Sequence, residues 1–180
     1  AAQALMASYK GRALGSIGHL GTFSFHETKN YSCGEGGALV INDPRFVERA
    51  EILQEKGTNR SAFLDGRIDK YSWVDIGSSF LLSELQAAFL MAQLDAAEKI
   101  TQDRLETWNH YFSEFESLAQ DGRFELPNIP QQCNHNAHIF HLRLKDKEQR
   151  RKFMNHCSEK GVGTVFHYVP LHSSVGTTIW

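Results

Sequence analysis

The sequence predicts an α/β fold, and three stretches of it carry that prediction. A short apolar run from Leu20 to Phe25 is typical of a buried strand, and a second β-rich run covers Gly37 to Ile41. A long helical pattern begins near Glu84, and residues 137–168 then alternate between strand, helix and strand patterns. We therefore expect a larger α/β part, followed by a small α+β domain.

A helix is expected directly after the second strand. Asp43 can cap it, and Pro44 suits its first position because proline lacks the N–H that a helix start leaves unpaired. The pattern continues to Lys56, and Gly57 supplies the stop. Residues 58–80 contain Gly66, Gly77 and many polar side chains, which predicts a long loop that is functional or supported by a partner.

The long helical region has its own start signal. Ser83 with Gln86 resembles a capping box, and the helical pattern that follows extends to about Ile100. Apolar residues recur at three- and four-residue intervals over residues 101–119, which predicts one apolar helical stripe packed against a core.

The second half of the chain is expected to form the small α+β domain. Its predicted elements are a strand over residues 137–144, a helix over residues 147–160 and a strand over residues 163–168. We place the domain boundary inside the long helical stretch. The expected domains are therefore residues 1–100 and residues 101–180.

Composition excludes several classes of function. The formal net charge of -2 over 180 residues gives no basic face for nucleic acid. No apolar run approaches the roughly 20 residues that span a bilayer. Cys33, Cys133 and Cys157 are few, odd in number and unpatterned, which fits reduced thiols in a cytoplasmic enzyme rather than a disulfide framework.

Lys29 is the strongest candidate for chemistry. It lies just beyond the first predicted strand, five residues after Ser24. A partly desolvated lysine loses some of its preference for the charged form, so its free amine can attack a carbonyl and form a Schiff base. Ser24 can offer its hydroxyl to a phosphate at the other end of the same ligand. A surface lysine in an ordinary loop is the alternative.

The glycine-rich run after Lys29, from Gly34 to Gly37, has two interpretations. Glycine permits close backbone approach to a phosphate, but it also permits a tight turn between two strands. We expect the turn, because no Lys-Ser/Thr pair follows as in a P-loop.

The stretch Ser24-Phe25-His26-Glu27-Thr28-Lys29 matches the motif Ser-Phe-His-x-x-Lys of a known enzyme family. Further segments that match the family are Ala1-Ala2-Gln3, Gly34-Glu35-Gly36-Gly37, Glu55 to Arg60, Asp75 to Ser79, Ser83 to Ala88 and His167 to His172. Over nearly its whole length the chain thus resembles the DegT-type sugar aminotransferases. The resemblance implies part of the fold-type I (aspartate-aminotransferase-like) fold of pyridoxal-phosphate-dependent transferases.

The resemblance also implies pyridoxal 5′-phosphate as the cofactor and assigns roles around it. Lys29 would be the catalytic, Schiff-base-forming lysine, Ser24 would hold the phosphate, and Gln3 would contact the cofactor near its ring hydroxyl or face. The aspartate that pairs with the ring nitrogen in this family would lie just before Ala1. We therefore expect the chain to be a fragment that is inactive alone.

The substrates implied by the resemblance are a nucleotide-linked keto sugar and an amino-acid donor, glutamate, bound between the subunits of a homodimer. The amino group would move to the 4-keto carbon of a dTDP-linked 6-deoxy sugar. A 3-amino product, or a non-catalytic family member, are the alternatives. Six residues are expected near the substrate, namely His26, Asn59, Arg60, His167, Tyr168 and His172. Structural roles for His167 and Tyr168, and simple exposure for Arg60, remain open.

A cluster of possible metal ligands lies between residues 133 and 141. It contains Cys133, His135, His138 and His141, and zinc sites use such residues at short spacing. Residues three apart on the strand expected from residue 137 would face opposite sides. We therefore expect no metal site.

Overall fold

A computed structural model describes residues 1–178, and it places short strands before and between helices. The strands in this range are β1 (Ser8–Tyr9), β2 (Arg12–Ala13), β3 (Leu20–Ser24), β4 (Gly37–Ile41) and β5 (Cys133–Asn134). They form two antiparallel sheets, one in the order β2-β1-β5 and the other made of β3 and β4. Ser24 pairs with Gly37 and Leu20 with Ile41, so both strands predicted around Lys29 are confirmed.

The helices occupy most of the middle of the chain. They are α1 (Val47–Gln54), α2 (Arg60–Leu64), α3 (Glu84–Asp95), α4 (Ala97–Gln120) and α5 (Lys147–Glu159). Shorter 3₁₀ turns cover Pro44–Phe46, Leu171–Ser173 and Val175–Thr178. None of the helices within residues 1–178 is both long and apolar enough to cross a membrane.

The predicted helix starts are confirmed. The Asp43 side chain accepts from the backbone N–H of Arg45, with Pro44 at the first position of the turn that leads into α1. Arg45 also holds the pKa of the Asp43 carboxyl below its ordinary value by donating hydrogen bonds to it. Ser83 and Gln86 form the capping box of α3, because each side chain is bonded to the other residue's backbone N–H. Caps depend on a few adjacent residues, which makes them predictable from sequence.

Two helical details differ from the expectation. The loop expected over residues 58–80 contains α2, and the long helical region is divided at Ala96 into α3 and α4. At the break, the Ala96 N–H bonds to the carbonyls of Gln93 and Leu94 instead of continuing the regular ladder. The apolar stripe predicted on α4 is buried at Trp108, whereas Tyr111 of the same stripe is 47% exposed.

The strand predicted over residues 137–144 is wrong. Ala137 has a φ of 50°, and the carbonyls of Ala137, His138 and Ile139 accept bonds from the side chains of Arg104 and Trp108. Because side chains of α4 take these carbonyls, they are not paired with a neighbouring strand. Farther along this stretch a single isolated bridge pairs Glu125 with Arg143.

The strand predicted over residues 163–168 is also wrong. These residues are assigned to no strand, and within the described part of the chain no neighbouring strand pairs with them. An extended segment becomes a strand only when a second segment satisfies its N–H and C=O groups. The helix predicted over residues 147–160 is confirmed as α5, which Asp146 caps through the N–H of Gln149.

The core lies where the β3–β4 loop meets α3 and α4. Its buried members are Phe25, Tyr31, Cys33 and Leu90, and five partly buried residues pack on them: Leu5, Phe23, Leu82, Ala97 and Ile100. Burial, with a smaller contribution from Glu35, raises the pKa of the Cys33 thiol. The strand β3 is not buried along its whole length, since Leu20 is 46% exposed. The chain enters the core at Phe25, just past the strand's end.

The chain divides into two compact units. The first comprises Ala1–Glu114 and Asn128–Phe140, and the second comprises Phe115–Pro127 and the described residues from His141 onward. The first unit contains both sheets, whereas the second contains α5. The domains expected at residues 1–100 and 101–180 stay a prediction for the complete fold.

Candidate active site

Lys29 lies in the loop that joins β3 to β4. Three backbone hydrogen bonds join the two sides of this loop. Phe25 N donates to Gly36 O at 2.8 Å and Glu27 N to Gly34 O at 2.8 Å. Cys33 N donates to Phe25 O at 2.9 Å. The glycine-rich run joins the two strands, as expected, although the connection is longer than a tight turn. Lys29 is half-buried within it, and its backbone N–H donates to the carbonyl of His26 at 2.9 Å.

Ser24 and His26 are bonded to each other at the end of β3. The Ser24 hydroxyl oxygen accepts from the backbone N–H of His26 at 3.3 Å, which leaves the hydroxyl proton able to donate elsewhere. His26 Nδ1 accepts from the backbone N–H of Thr28 at 3.2 Å. The proton of the neutral ring therefore resides on Nε2, which lies 3.5 Å from Glu35 Oε1.

Gln3 belongs to the same region through its backbone. The N–H of Ser24 donates to the carbonyl of Ala2 at 3.3 Å, next to Gln3. Gln3 is exposed, and its backbone carbonyl accepts from Asn136 Nδ2 at 2.7 Å. The structure thus brings together the segments that carry Gln3, Ser24 and Lys29.

Asn59 and Arg60 have local partners. Asn59 Oδ1 accepts from the N–H of Ser72 at 2.8 Å, and Asn59 N donates to the carbonyl of Ser72 at 3.2 Å. The guanidinium of Arg60 bonds to Glu55 Oε1 at 2.8 Å, and Glu55 is only 9% exposed. These contacts stabilise the fold around α2. The roles expected for Asn59 and Arg60 at the substrate stay predictions.

His167, Tyr168 and His172 lie in the second compact unit. The rings of His167 and Tyr168 stack with centroids 4.3 Å apart, and Tyr168 is 69% exposed. His172 is exposed within the 3₁₀ turn Leu171–Ser173. Their expected contacts with substrate stay predictions.

The possible metal ligands near residue 135 have other partners. His135 Nδ1 accepts from the N–H of Ala137, and its ring meets Trp108 edge-on at 4.5 Å, where burial lowers the pKa of His135. His138 Nδ1 bonds to Asn30 Oδ1. Strand alternation does not separate these side chains, because residues 137–144 are not a strand. Within residues 1–178 no group of three or more His, Cys, Asp or Glu side chains is placed to hold a metal ion.

Two asparagines at this site escaped the sequence analysis. Asn30 directly follows Lys29 and bonds to Asn136, which in turn bonds to Gln3 and Leu5. Asn30 had one available signal, its position beside the candidate lysine. Asn136 had none, because the residues that it joins, Gln3, Leu5 and Asn30, lie more than a hundred positions away in the sequence.

A strand that ends at a serine, followed by a half-buried lysine in a loop tied to it, defines the candidate active site. Residues 1–176 match the model of the DegT/DnrJ/EryC1/StrS aminotransferase family. The chain therefore belongs to the DegT/DnrJ/EryC1/StrS aminotransferase family, and the resemblance seen in its motifs is confirmed.

Named relatives support the same class. The chain is 33% identical over 178 residues to dTDP-3-amino-3,4,6-trideoxy-alpha-D-glucose transaminase from Streptomyces venezuelae, an alignment that covers 97% of this chain and 42% of that enzyme. It superimposes on DesV from S. venezuelae with a TM-score of 0.82 and 30% identity, over 98% of this chain and 44% of DesV. The sugar aminotransferase Spr1654 from Streptococcus pneumoniae, described as putative and solved in its PLP form, matches with a TM-score of 0.83 and 23% identity, over 99% of this chain and 45% of that one.

These comparisons confirm the α/β, fold-type I class. They also confirm pyridoxal phosphate as the cofactor at the level of the family. The chain spans less than half the length of the relatives that it matches. Activity, substrates and partners of the whole protein therefore belong to the proposal that follows.

Proposed function

We propose that the protein is a pyridoxal-phosphate-dependent transaminase that acts on a nucleotide-linked keto sugar, with Lys29 as its catalytic residue. The observation that carries the proposal is the shared frame of the site. Ser24 and Lys29 lie on one segment at the end of a strand, and Gln3 lies on a second; hydrogen bonds join the two directly and through residue 136. Membership of the aminotransferase family supports the reaction class.

The chemistry of these side chains suits the cofactor. In the described residues no carboxylate forms an ion pair with the Lys29 ammonium, so its nitrogen is not committed to a structural contact. Ser24 retains a hydroxyl proton to donate to a phosphate oxygen. An amine, a hydroxyl and the Gln3 amide match an aldehyde, a phosphate and a polar ring. When bound, the cofactor supplies the electron sink that makes transamination possible.

Lys29, Ser24 and His26 would then each have a defined role in the reaction. Lys29 Nζ would hold the cofactor and, once the amino-acid donor occupies the site, would take the proton from the donor's Cα. With the keto sugar, the same nitrogen returns a proton to the sugar carbon, always on one face. Ser24 Oγ holds the phosphate. His26, protonated on Nε2 in its neutral form, would donate a hydrogen bond from that nitrogen to a substrate oxygen.

The substrate proposal is specific. Glutamate would donate the amino group to dTDP-4-keto-6-deoxyglucose, giving dTDP-4-amino-4,6-dideoxygalactose for a cell-surface polysaccharide such as enterobacterial common antigen. Its support is the resemblance of residues 57–60, 78–79 and 167–172 to dTDP-4-amino-4,6-dideoxygalactose transaminase. The residues proposed to contact the sugar are His26, Asn59, Arg60, His167, Tyr168 and His172. A 3-amino product is the second candidate, because the S. venezuelae enzyme that shares 33% identity is named for one.

The proposed partner is a second copy of the protein, in the cytoplasm. The region from residue 63 to residue 94 supports association with another protein surface, since it exposes large apolar side chains, with Leu85 as much as 85% exposed. Exposed apolar patches of this kind are typical of contact surfaces.

The test uses the full-length protein with pyridoxal phosphate and glutamate, offered dTDP-4-keto-6-deoxyglucose and its 3-keto isomer in separate reactions. The expected result is a 4-amino sugar, identified by mass spectrometry and NMR, and no product from the 3-keto sugar. Conversion of the 3-keto isomer alone would refute the regiochemistry but keep the transaminase assignment. Cofactor binding without turnover of either sugar would favour a non-catalytic family member.

A further inference from the structure

The residue directly after Lys29 is fixed at both ends of its side-chain amide. Asn30 Nδ2 donates to the backbone carbonyl of Asn136 at 2.8 Å. Asn30 Oδ1 lies 2.8 Å from His138 Nδ1, and because an amide oxygen only accepts, this ring nitrogen is the donor. A shift of the Lys29 backbone therefore disturbs two bonds to a segment that is distant in the sequence.

Asn136 joins this contact to the beginning of the chain. It is only 5% exposed. Its Nδ2 donates to the carbonyls of Gln3 at 2.7 Å and Leu5 at 2.9 Å, and its Oδ1 accepts from the N–H of His138 at 3.2 Å. One buried side chain thus satisfies three backbone groups. Its removal leaves two carbonyls without their donor, one of them on the partly buried Leu5, which costs stability.

The circuit of bonds closes through Ser24 and is anchored to a helix. The N–H of Ser24 donates to the carbonyl of Ala2, beside Gln3. Arg104 of α4 donates to the carbonyls of Ala137 at 3.2 Å and His138 at 2.9 Å. The turn at residues 136–138 is thereby held to a rigid element while it contacts the other two segments.

We propose that Asn30 and Asn136 are positioning residues that hold Lys29, Ser24 and Gln3 in register for one rigid ligand; the proposal rests on the function proposed above. A ligand bound covalently at one end and by its phosphate at the other fits only if both contacts stand at a fixed separation. Functional groups of this kind need placement within about 0.5 Å, which a supporting shell of hydrogen bonds provides.

The chain offers a matched control. Asn42 Nδ2 also donates to two backbone carbonyls, those of Gly15 and Gly18, both at 2.9 Å. It braces a loop as Asn136 does, but its partners are Gly15 and Gly18, whereas those of Asn136 are Gln3 and Leu5, beside the carbonyl that accepts from the Ser24 N–H. Asn136→Ala and Asn42→Ala therefore remove the same kind of contact at two places.

The first measurement is amide hydrogen exchange of the full-length protein without cofactor. Asn136→Ala keeps the backbone carbonyl that Asn30 contacts but removes the bonds to Gln3 and Leu5, which hold the Ala2 carbonyl close to the Ser24 N–H. The peptide that covers residues 24–30 should therefore exchange faster, by up to about tenfold. The Asn42→Ala variant should leave that peptide unchanged. Asn30→Asp keeps the acceptor for His138 and should retain part of the protection that Asn30→Ala loses.

The second measurement compares binding of pyridoxal phosphate with binding of pyridoxal, which lacks the phosphate. A ligand that must reach both Lys29 and Ser24 depends on their separation, whereas pyridoxal depends on Lys29 alone. Asn136→Ala and Asn30→Ala should therefore weaken binding of the phosphorylated ligand more, by about tenfold relative to pyridoxal. A merely structural role would weaken both ligands equally. If Asn136→Ala does not fold, the two Asn30 variants provide the same comparison.

Equal losses for the two ligands, or the same ratio in Asn42→Ala as in Asn136→Ala, would overturn the positioning role and leave the proposed function standing. Failure of the wild-type protein to bind pyridoxal phosphate would overturn the proposed function. The positioning role would fall with it, and the exchange results would then describe a structural brace.

Discussion

The loop at residues 24–30 and the segment at residues 167–172 were both expected to carry the chemistry, yet the chain holds them in different ways. The first is bonded to residues 1–5 and 136–138, both distant in the sequence. In the second, the described contacts are local, such as the stacked rings of His167 and Tyr168.

Because of this difference, we expect residues 24–30 and residues 167–172 to have different roles. A loop held by distant segments keeps its backbone position before any ligand arrives, which suits a cofactor that stays bound. Exposed side chains with local contacts can adjust to a substrate that enters and leaves. The comparison therefore predicts large effects from changes in the loop and moderate effects from changes in the segment.

Replacement of Lys29 by alanine should have the largest effect. It removes both the nucleophile and the proton carrier, so transamination by the full-length protein should fall by at least about 10³-fold. Borohydride reduction after loading with pyridoxal phosphate should label Lys29 in the wild type and no lysine in the variant, as read by peptide mass spectrometry. Lys56→Ala serves as the control, and labelling at Lys10 or Lys56 would refute the assignment.

Replacement of Ser24 by alanine should have the next largest effect. A hydrogen bond to a charged phosphate contributes about 1.5–3 kcal/mol, so the affinity for pyridoxal phosphate should fall roughly 10- to 100-fold. Ser24→Thr keeps the hydroxyl and should recover most of the loss. Binding of pyridoxal should change little. A matching loss for pyridoxal would show that Ser24 acts through the fold and not through the phosphate.

Changes in the second region should alter substrate use and not cofactor binding. We expect His167→Ala and Tyr168→Phe each to raise the KM for the keto sugar by about 3- to 10-fold, the value of one exposed hydrogen bond. Cofactor affinity, followed by absorbance, should remain at the wild-type level. The exposed His156→Ala on α5 is the control. Loss of cofactor binding in Tyr168→Phe would contradict the contrast between the two regions.

The fold features that the sequence predicted are those specified by adjacent residues. The capping box at Ser83 and Gln86, the cap at Asp43 and the strand that ends at Ser24 each depend on a few neighbouring positions. Lys29 could be predicted as the catalytic residue because it is the last residue of a six-residue motif. Such features can be predicted from a single sequence because the residues that define them lie only a few positions apart.

The missed features depend on partners far away in the sequence. The expected strand at residues 137–144 is replaced by a turn whose carbonyls are taken by Arg104 and Trp108 of α4. Asn136 bonds to Gln3 across 133 positions. No periodicity or local propensity records such pairings, so the frame that supports the lysine became visible only in the structure.

The smallest expected effect is the pH dependence of stability that arises from His135, which packs beside the turn at residues 136–138. His135 packs on Trp108, and Trp108 donates to the carbonyl of Ile139, just past the turn that carries Asn136. Burial holds the pKa of His135 below its ordinary value, because the charged ring is poorly solvated there. The unfolded chain therefore binds this proton more readily than the folded chain does. Stability from the neutral ring is complete above the ordinary histidine pKa of about 6.5 and is lost as the pH falls through the lowered value.

The His135→Asn variant tests this, because asparagine can accept from the Ala137 N–H in place of Nδ1 but does not titrate. Wild-type protein should lose more of its urea midpoint than the variant between about pH 7.5 and about pH 5.5. Replacement of the exposed His110 on α4 by asparagine is the matched control and should leave the wild-type pH dependence in place. Identical pH profiles for wild type and His135→Asn would show that protonation of His135 does not lower the free energy of unfolding. The difference between the two regions would then depend on the asparagine network alone.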